Sequence, residues 1–162
     1  MTQLFANPYD LSKAGFYFTK PDEFIRRAEE LGAEEFSIEF IDGDAAQLFT
    51  ACSINQSNLD VWFDEIECLD DHDQAALYFL CDHIGYPVDA ALRKIRDVCL
   101  YQGSLLDAAT ELFDECYAHD IPEHLHSYID YERFAKDCEL SGDMTHFKFG
   151  DTCYTVTNAS GI

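Results

Sequence analysis

Sixteen aspartates and glutamates lie between Arg27 and Arg93 without one lysine or arginine among them. No helix in that stretch can draw on Glu–Lys pairs four residues apart, and like charges at that spacing cost roughly a few tenths of a kcal/mol each. Each carboxylate must stay in water, so the apolar positions alone define what the chain can bury. Nine more acids stand unaccompanied between Arg96 and Arg133, and the whole chain of 162 residues carries a net charge of -22. A sequence this acidic stays disordered when it is poor in apolar residues, but here they make up 48%, with 13 Phe and 9 Tyr. That content is enough to offset the entropy of ordering, and the chain folds.

The apolar spacing predicts a mixed α+β fold, mostly helical, built as an elongated series of small units. Residues 1–12 read as a loosely held lead-in. Phe16 and Phe18 flank Tyr17 in a short strand, Thr19 is placed to cap a helix with Pro21 in its first turn, and Gly32 ends it. Glu35 to Phe40 alternates polar and apolar as a half-buried strand does, and Asp42-Gly43 is a turn signal. Helical spacing then takes over: Leu59, Trp62, Phe63, Ile66 and Leu69, next Ala76, Leu77, Leu80, Cys81 and Ile84 up to Gly85-Tyr86-Pro87, next Val88, Ala91, Leu92, Ile95 and Val98. Ser104 with Asp107 three residues on is a capping-box start for a helix burying Leu106, Ala109, Phe113, Cys116 and Tyr117. Ile121-Pro122 interrupts, Asp130 caps a last helix ending near Ser141-Gly142, and Phe147 to Val156 alternates around Gly150-Asp151 as a hairpin. The expected units are a small α+β part over 1–43, an acidic helical part over 44–102 and a C-terminal α+β part over 103–162.

Several chemistries are excluded by what is missing. The seven cysteines are odd in number, with no CxxC pair, and read as reduced core thiols rather than a disulfide framework or metal knuckle. The N-terminus lacks an unbroken apolar stretch and no run reaches membrane length, so the cytoplasm is the expected location. Asp42-Gly43-Asp44 and Asp70-Asp71-His72-Asp73 lack the spacing of a calcium loop, and the six histidines form no HExxH or His-Cys pattern, so no metal is expected. There is no GxSxG, phosphate loop or GxGxxG, hence no catalytic residue and no cofactor to name. A surface this negative repels nucleic acid and anionic membranes and attracts basic clefts.

The placement of the acids narrows the partner. Asp60, Asp64, Glu67 and Asp71, with Asp70 beside the last, are spaced to stack along one helical face opposite the aromatics. Asp107, Glu111 and Asp114, with Glu115 beside them, repeat the step. Acids in such a stripe lie roughly 5 to 6 Å apart along the axis, while B-DNA carries one charge per roughly 1.7 Å when both strands are counted. One stripe is too sparse to copy a strand, so several would have to share a surface. The excess of 22 negative charges matches the phosphates of roughly 11 base pairs, about 37 Å of duplex.

The run Ile121-Pro122-Glu123-His124-Leu125-His126-Ser127-Tyr128-Ile129-Asp130-Tyr131-Glu132-Arg133-Phe134-Ala135-Lys136-Asp137, followed by Gly142-Asp143, resembles the antirestriction segment of the ArdA family. The acidic helix from Ser104 to Tyr117 and the preceding Gly103 fit the same order, and the likeness extends over about residues 75–150. The family's N-terminal sequence is not evident in residues 1–32, and Lys136 stands where arginine is common. The resemblance implies a DNA mimic that occupies the DNA-binding channel of type I restriction–modification enzymes, touching their methyltransferase and specificity subunits. It also implies a homodimer joined near Ile121, Pro122, Leu125, Tyr128, Ile129, Asp130, Tyr131, Phe134 and Asp137. Aromatics at helical spacing serve equally as core, and that reading of Tyr128, Ile129, Tyr131 and Phe134 stands beside the first. Two rivals remain: an acidic cytoplasmic adaptor that binds through an apolar groove with little salt dependence, and a cation-dependent enzyme stabilised by Ca²⁺ or Mg²⁺.

Overall fold

The computed structural model describes residues 2–162, and its contacts gather into two compact units, 1–92 and 93–162. The fold is mixed α+β and mostly helical, as the spacing predicts.

The N-terminal unit is built on an antiparallel sheet in the order β2-β1-β3, with β1 at Gln3–Pro8, β2 at Phe16–Phe18 and β3 at Phe36–Asp42. The expected loose lead-in is therefore the central strand. Leu4 lies opposite Phe18 on one side and Phe40 on the other, and it becomes fully buried on pairing. Helix α1, Pro21–Leu31, lays Phe24 on this face against Phe18 and Phe36, with ring centroids 5.2 and 5.4 Å away. Its N-cap is Lys20 without a side-chain cap. The Thr19 amide instead donates to Glu23 Oε2 at 3.2 Å, so the expected threonine cap is replaced by an acid reaching back. Gly32 ends the helix at φ 64°, the left-handed conformation that glycine adopts at least cost.

Helix α2, Ala46–Ala51, and the turn of α3, Leu59–Val61, close the other half of the same core. Phe49 packs 5.0 Å from Trp62, and Phe40 of β3 lies 5.4 and 6.2 Å from these two rings. Phe18 also reaches Phe63. These shared aromatics explain why residues 1–43 and the helices after them cluster as one body where the sequence is read as two. Helix α4, Asp71–Tyr78, runs on through a wide-turned segment Phe79–Ile84, and α5 covers Val88–Lys94.

The C-terminal unit pairs a second antiparallel sheet, β4-β6-β5, with two helices. Strand β4 is Leu100–Gln102, β5 Thr145–Phe149 and β6 Thr152–Val156, the last two forming the expected hairpin. Helix α6, Leu105–Cys116, and α7, Tyr131–Ser141, pack through buried Ala109, Ala135 and Met144 with Leu105, Leu112 and Phe134 around them. Asn158 fastens β4, accepting from the Cys99 amide at 2.8 Å and donating to the Asp97 carbonyl at 2.7 Å. Asp143 accepts from the hydroxyls of Ser141 and Ser160, which hold its carboxyl below the usual range.

The cysteines depart from expectation. Only Cys52 and Cys81 are buried, with their sulfurs 3.8 Å apart, while Cys68, Cys99, Cys116 and Cys153 are exposed. Helical spacing names the positions that share a face but not which face meets a neighbour.

Candidate functional site

The sequence of α6 sets its acidic face. Ser104 Oγ accepts from the Asp107 amide at 3.1 Å, and the Ser104 hydroxyl donates to Asp107 Oδ2 at 2.6 Å. This closed cap starts the helix where the spacing predicts, and from it Asp107, Glu111 and Asp114 emerge in four-three steps. All three and Glu115 are exposed.

Packing of α7 then folds a second set of groups against this face. Phe113 meets Tyr131 and Phe134 edge-on, at 5.4 and 5.1 Å, and Tyr117 meets Phe134 at 6.2 Å. The start of α7, where Asp130 Oδ1 accepts from the Arg133 amide at 2.9 Å, is thereby held beside the C-terminal half of α6. Between them lies a groove of about 1030 Å³. Six carboxylates line it, from Asp107, Glu111, Asp114, Glu115, Asp130 and Glu132, and no lysine, arginine or histidine does. Its apolar part comes from Leu106 and Ile129, and from Tyr101, Tyr128 and Tyr131.

Two of the tyrosines are tied to the acids. Tyr131 donates its hydroxyl to Asp114 Oδ1 at 2.6 Å, a bond that raises its phenol above the ordinary value. Tyr101 is raised too, first by partial desolvation and then by the negative charge of Glu111. Both phenols therefore stay protonated at neutral pH. The Tyr101 ring lies against Gly103. A Cβ on Gly103, at φ 155°, would stand 2.6 Å from the Tyr101 ring.

The expected site residues thus separate into groups. Asp107, Glu111, Asp114, Glu115, Tyr128, Ile129, Asp130 and Tyr131 come together in the groove. Ile121 and Pro122 lie outside it, in a link fastened by His126, whose Nε2 donates to the carbonyls of Ala118 and Ile121 at 3.1 and 2.9 Å. Phe134 is packing for α6, and Asp137 faces Arg133 at 4.0 Å on an exposed surface. Tyr128 is 82% exposed, which removes the core reading for that residue, and Leu125 is 42% exposed. The expectation that α6 buries Leu106, Cys116 and Tyr117 is also corrected, since all three are exposed.

The N-terminal stripe is not one helical face. After Val61 the chain widens into a turn in which the Glu67 amide donates to the Trp62 carbonyl, five residues back, at 2.8 Å. That shift turns Glu67 aside, where Oε1 accepts from the Thr2 amide at 2.8 Å. Asp70 Oδ1 accepts from the Asp73 amide as the cap of α4, and Asp71 begins that separate helix. Asp60, Asp64 and Asp71 remain exposed without such duties.

Sequence reasoning missed Tyr101 and Glu132. Glu132 stands in a first helical turn, where an acid reads as a partner for the helix dipole. Tyr101 sits on a three-residue strand whose position depends on pairing with Thr155. Among the described residues no His, Cys, Asp and Glu side chains converge as metal ligands, and no helix is long and apolar enough to cross a membrane.

Two comparisons with known proteins bear on this surface. The model of a family described as "Antirestriction protein (ArdA)" matches residues 15–151, which includes the stretch where motifs alone carry the likeness and reaches well upstream of it. Among curated proteins there is no match to this chain.

Proposed function

Since the chain belongs to the ArdA family of antirestriction proteins, whose role is exerted on restriction–modification enzymes, we propose that its acidic surface stands in for DNA phosphates in the DNA-binding channel of a type I enzyme. The methyltransferase and specificity subunits are the partners in this reading. The observation that carries it is the C-terminal groove, where six carboxylates converge with no basic side chain among them. In an ordinary solvated face such acids alternate with lysines. The exposed Asp60, Asp64 and Asp71 add further negative charge on the N-terminal unit, and binding is spread over many weak contacts, with no catalysis by this chain.

Competition with DNA for a purified type I methyltransferase, followed across a salt series, tests the reading. Inhibition is expected to fall steeply with salt, because both the decoy and the duplex act through charge. Inhibition that holds constant between low and high salt would favour the adaptor that binds through apolar contact. No inhibition at any salt would end the proposal.

We also propose that two copies join through the 121–137 segment, with exposed Leu125, which lies outside the groove, at the contact. Leu125→Glu places like charges face to face across such a contact and is expected to shift sedimentation from dimer to monomer. A monomeric parent, or a variant that still sediments as a dimer, counts against this contact.

A further inference from the structure

We infer that Cys52 and Cys81 are a peroxide-responsive pair, which a small hydroperoxide converts to a disulfide tying the end of α2 to the segment that follows α4. The inference stands on the N-terminal unit alone and goes beyond the decoy reading.

Two elements distant in the chain build the pair. Cys52 follows α2 as its C-terminal cap, and Cys81 lies in Phe79–Ile84, which continues α4, the helix packed on α2. Both side chains are buried, and their sulfurs stand 3.8 Å apart although 29 residues separate them. A disulfide holds its sulfurs about 2.0 Å apart, so closure from 3.8 Å asks for roughly 1.8 Å of approach by sulfurs already in contact.

The two thiols play different parts. Cys52 donates its S–H to Cys81 Sγ, a bond that holds the Cys81 thiol below its ordinary value and pushes Cys52 up. The thiolate is the nucleophile in thiol oxidation, so Cys81 is the one that attacks. It is also the more accessible of the two, at 8% exposed against 4%. An opening that small admits an oxidant close to water in size and shuts out a bulky disulfide. The Cys81 thiolate attacks one oxygen of the hydroperoxide, the O–O bond breaks, and the departing hydroxide takes up the proton lost by Cys81. The Cys52 sulfur then attacks the Cys81 sulfenic acid. An S–S bond forms, the S–O bond breaks, and the hydroxyl leaves as water with the Cys52 proton. Two thiols are thereby oxidised by two electrons in all, and one hydrogen peroxide is reduced to two waters.

The bond closes a loop that carries Trp62 and the exposed Asp60, Asp64 and Asp71. Closure restricts the unfolded chain, so oxidation stabilises the N-terminal unit while those acids stay where they are. In a reducing compartment a bond of this kind is transient and marks a sensor rather than a permanent staple.

The test treats the full chain with hydrogen peroxide and blocks the remaining thiols with N-ethylmaleimide in urea. Digestion uses a glutamate-specific protease, because Glu65 and Glu67 separate the two cysteines and no lysine or arginine does. Tandem mass spectrometry is expected to find the Cys52 and Cys81 fragments joined, and dithiothreitol to release them. The oxidised chain is expected to unfold at about 1 to 2 M higher urea than the reduced one. After the same treatment Cys81→Ser should leave Cys52 a free thiol, and Cys52→Ser should leave a sulfenic acid on Cys81 that dimedone captures. Circular dichroism checks the fold of both variants, and should either unfold, the link and the urea midpoint of the parent decide alone. The inference is overturned if Cys52 and Cys81 both still take maleimide once the exposed Cys68 has been oxidised, or if either is found linked to an exposed cysteine instead. A joined pair without a rise in the urea midpoint overturns the stabilising role of the bond.

Discussion

A chain carrying Glu111→Lys and Glu115→Lys is expected to compete with DNA for the type I enzyme roughly thirtyfold less well, while being at least as stable as the parent. Exposed charges are worth up to about 1 kcal/mol each against a partner, so two reversals remove about 2 kcal/mol after screening. At about 1.4 kcal/mol per tenfold, that is a factor near thirty. Folding moves the other way. Asp107, Glu111 and Glu115 follow one another at four-residue steps on α6, so Glu111→Lys turns its repulsion with Asp107 into an attraction, while positions 111 and 115 exchange one like-charged pair for another. Lysines near the C-terminal end of the helix also suit its dipole, and together these effects contribute about 1 kcal/mol. Urea unfolding and competition on the same two-site variant separate binding from stability. Unchanged inhibition would remove the groove from the mechanism, and a large loss of stability would mean that these acids serve the fold.

Trp62→Ala is expected to lower the stability of the N-terminal unit by about 3 to 5 kcal/mol, the usual range for emptying a large buried aromatic site. Trp62 is fully buried and packs edge-on against Phe40 and Phe49, joining β3 to α2. Such a loss is a large part of the roughly 5 to 15 kcal/mol that holds a typical domain. Among the described residues its indole Nε1 has no hydrogen-bond partner, and an unsatisfied buried donor costs about 1 to 3 kcal/mol. Trp62→Phe removes that orphan along with part of the volume, so its net cost is expected to be well below that of alanine. The chain has a single tryptophan, so unfolding of all three proteins is followed by circular dichroism in urea. A cost for Trp62→Phe equal to that of Trp62→Ala would show that the indole N–H is not an energetic liability.

The parts of the fold legible in the sequence are those governed by signals a few residues apart. The cap at Ser104 and Asp107, the stops at Gly32, Gly85 and Gly142, the cap at Asp130 and the hairpin around Gly150 all lie where local chemistry puts them. What local chemistry cannot express is the identity of a distant neighbour. Residues 3–8 are too short to declare themselves a strand, yet they sit at the centre of a sheet because β2 and β3 both supply partners. The one-face reading of Asp60, Asp64, Glu67 and Asp71 assumed a regular helix, and the wide turn after Val61 broke that geometry. Half of the groove was likewise visible: its acids on α6 follow from spacing, whereas Tyr101 arrives there through strand pairing with β6, more than fifty residues away.

By itself the sequence determined the excess of negative charge, the periodicity that makes the chain mostly helical, and the motif run that ties it to antirestriction proteins. These are sums and short-range patterns, and they survive any arrangement of the chain in space. Tertiary structure alone decided which acids come together, since Glu67 is drawn to the distant Thr2 amide while six others converge on one groove. The reason is that a carboxylate acts on a partner only where packing leaves it exposed and in company, and packing is a property of pairs of elements that no single stretch of sequence contains.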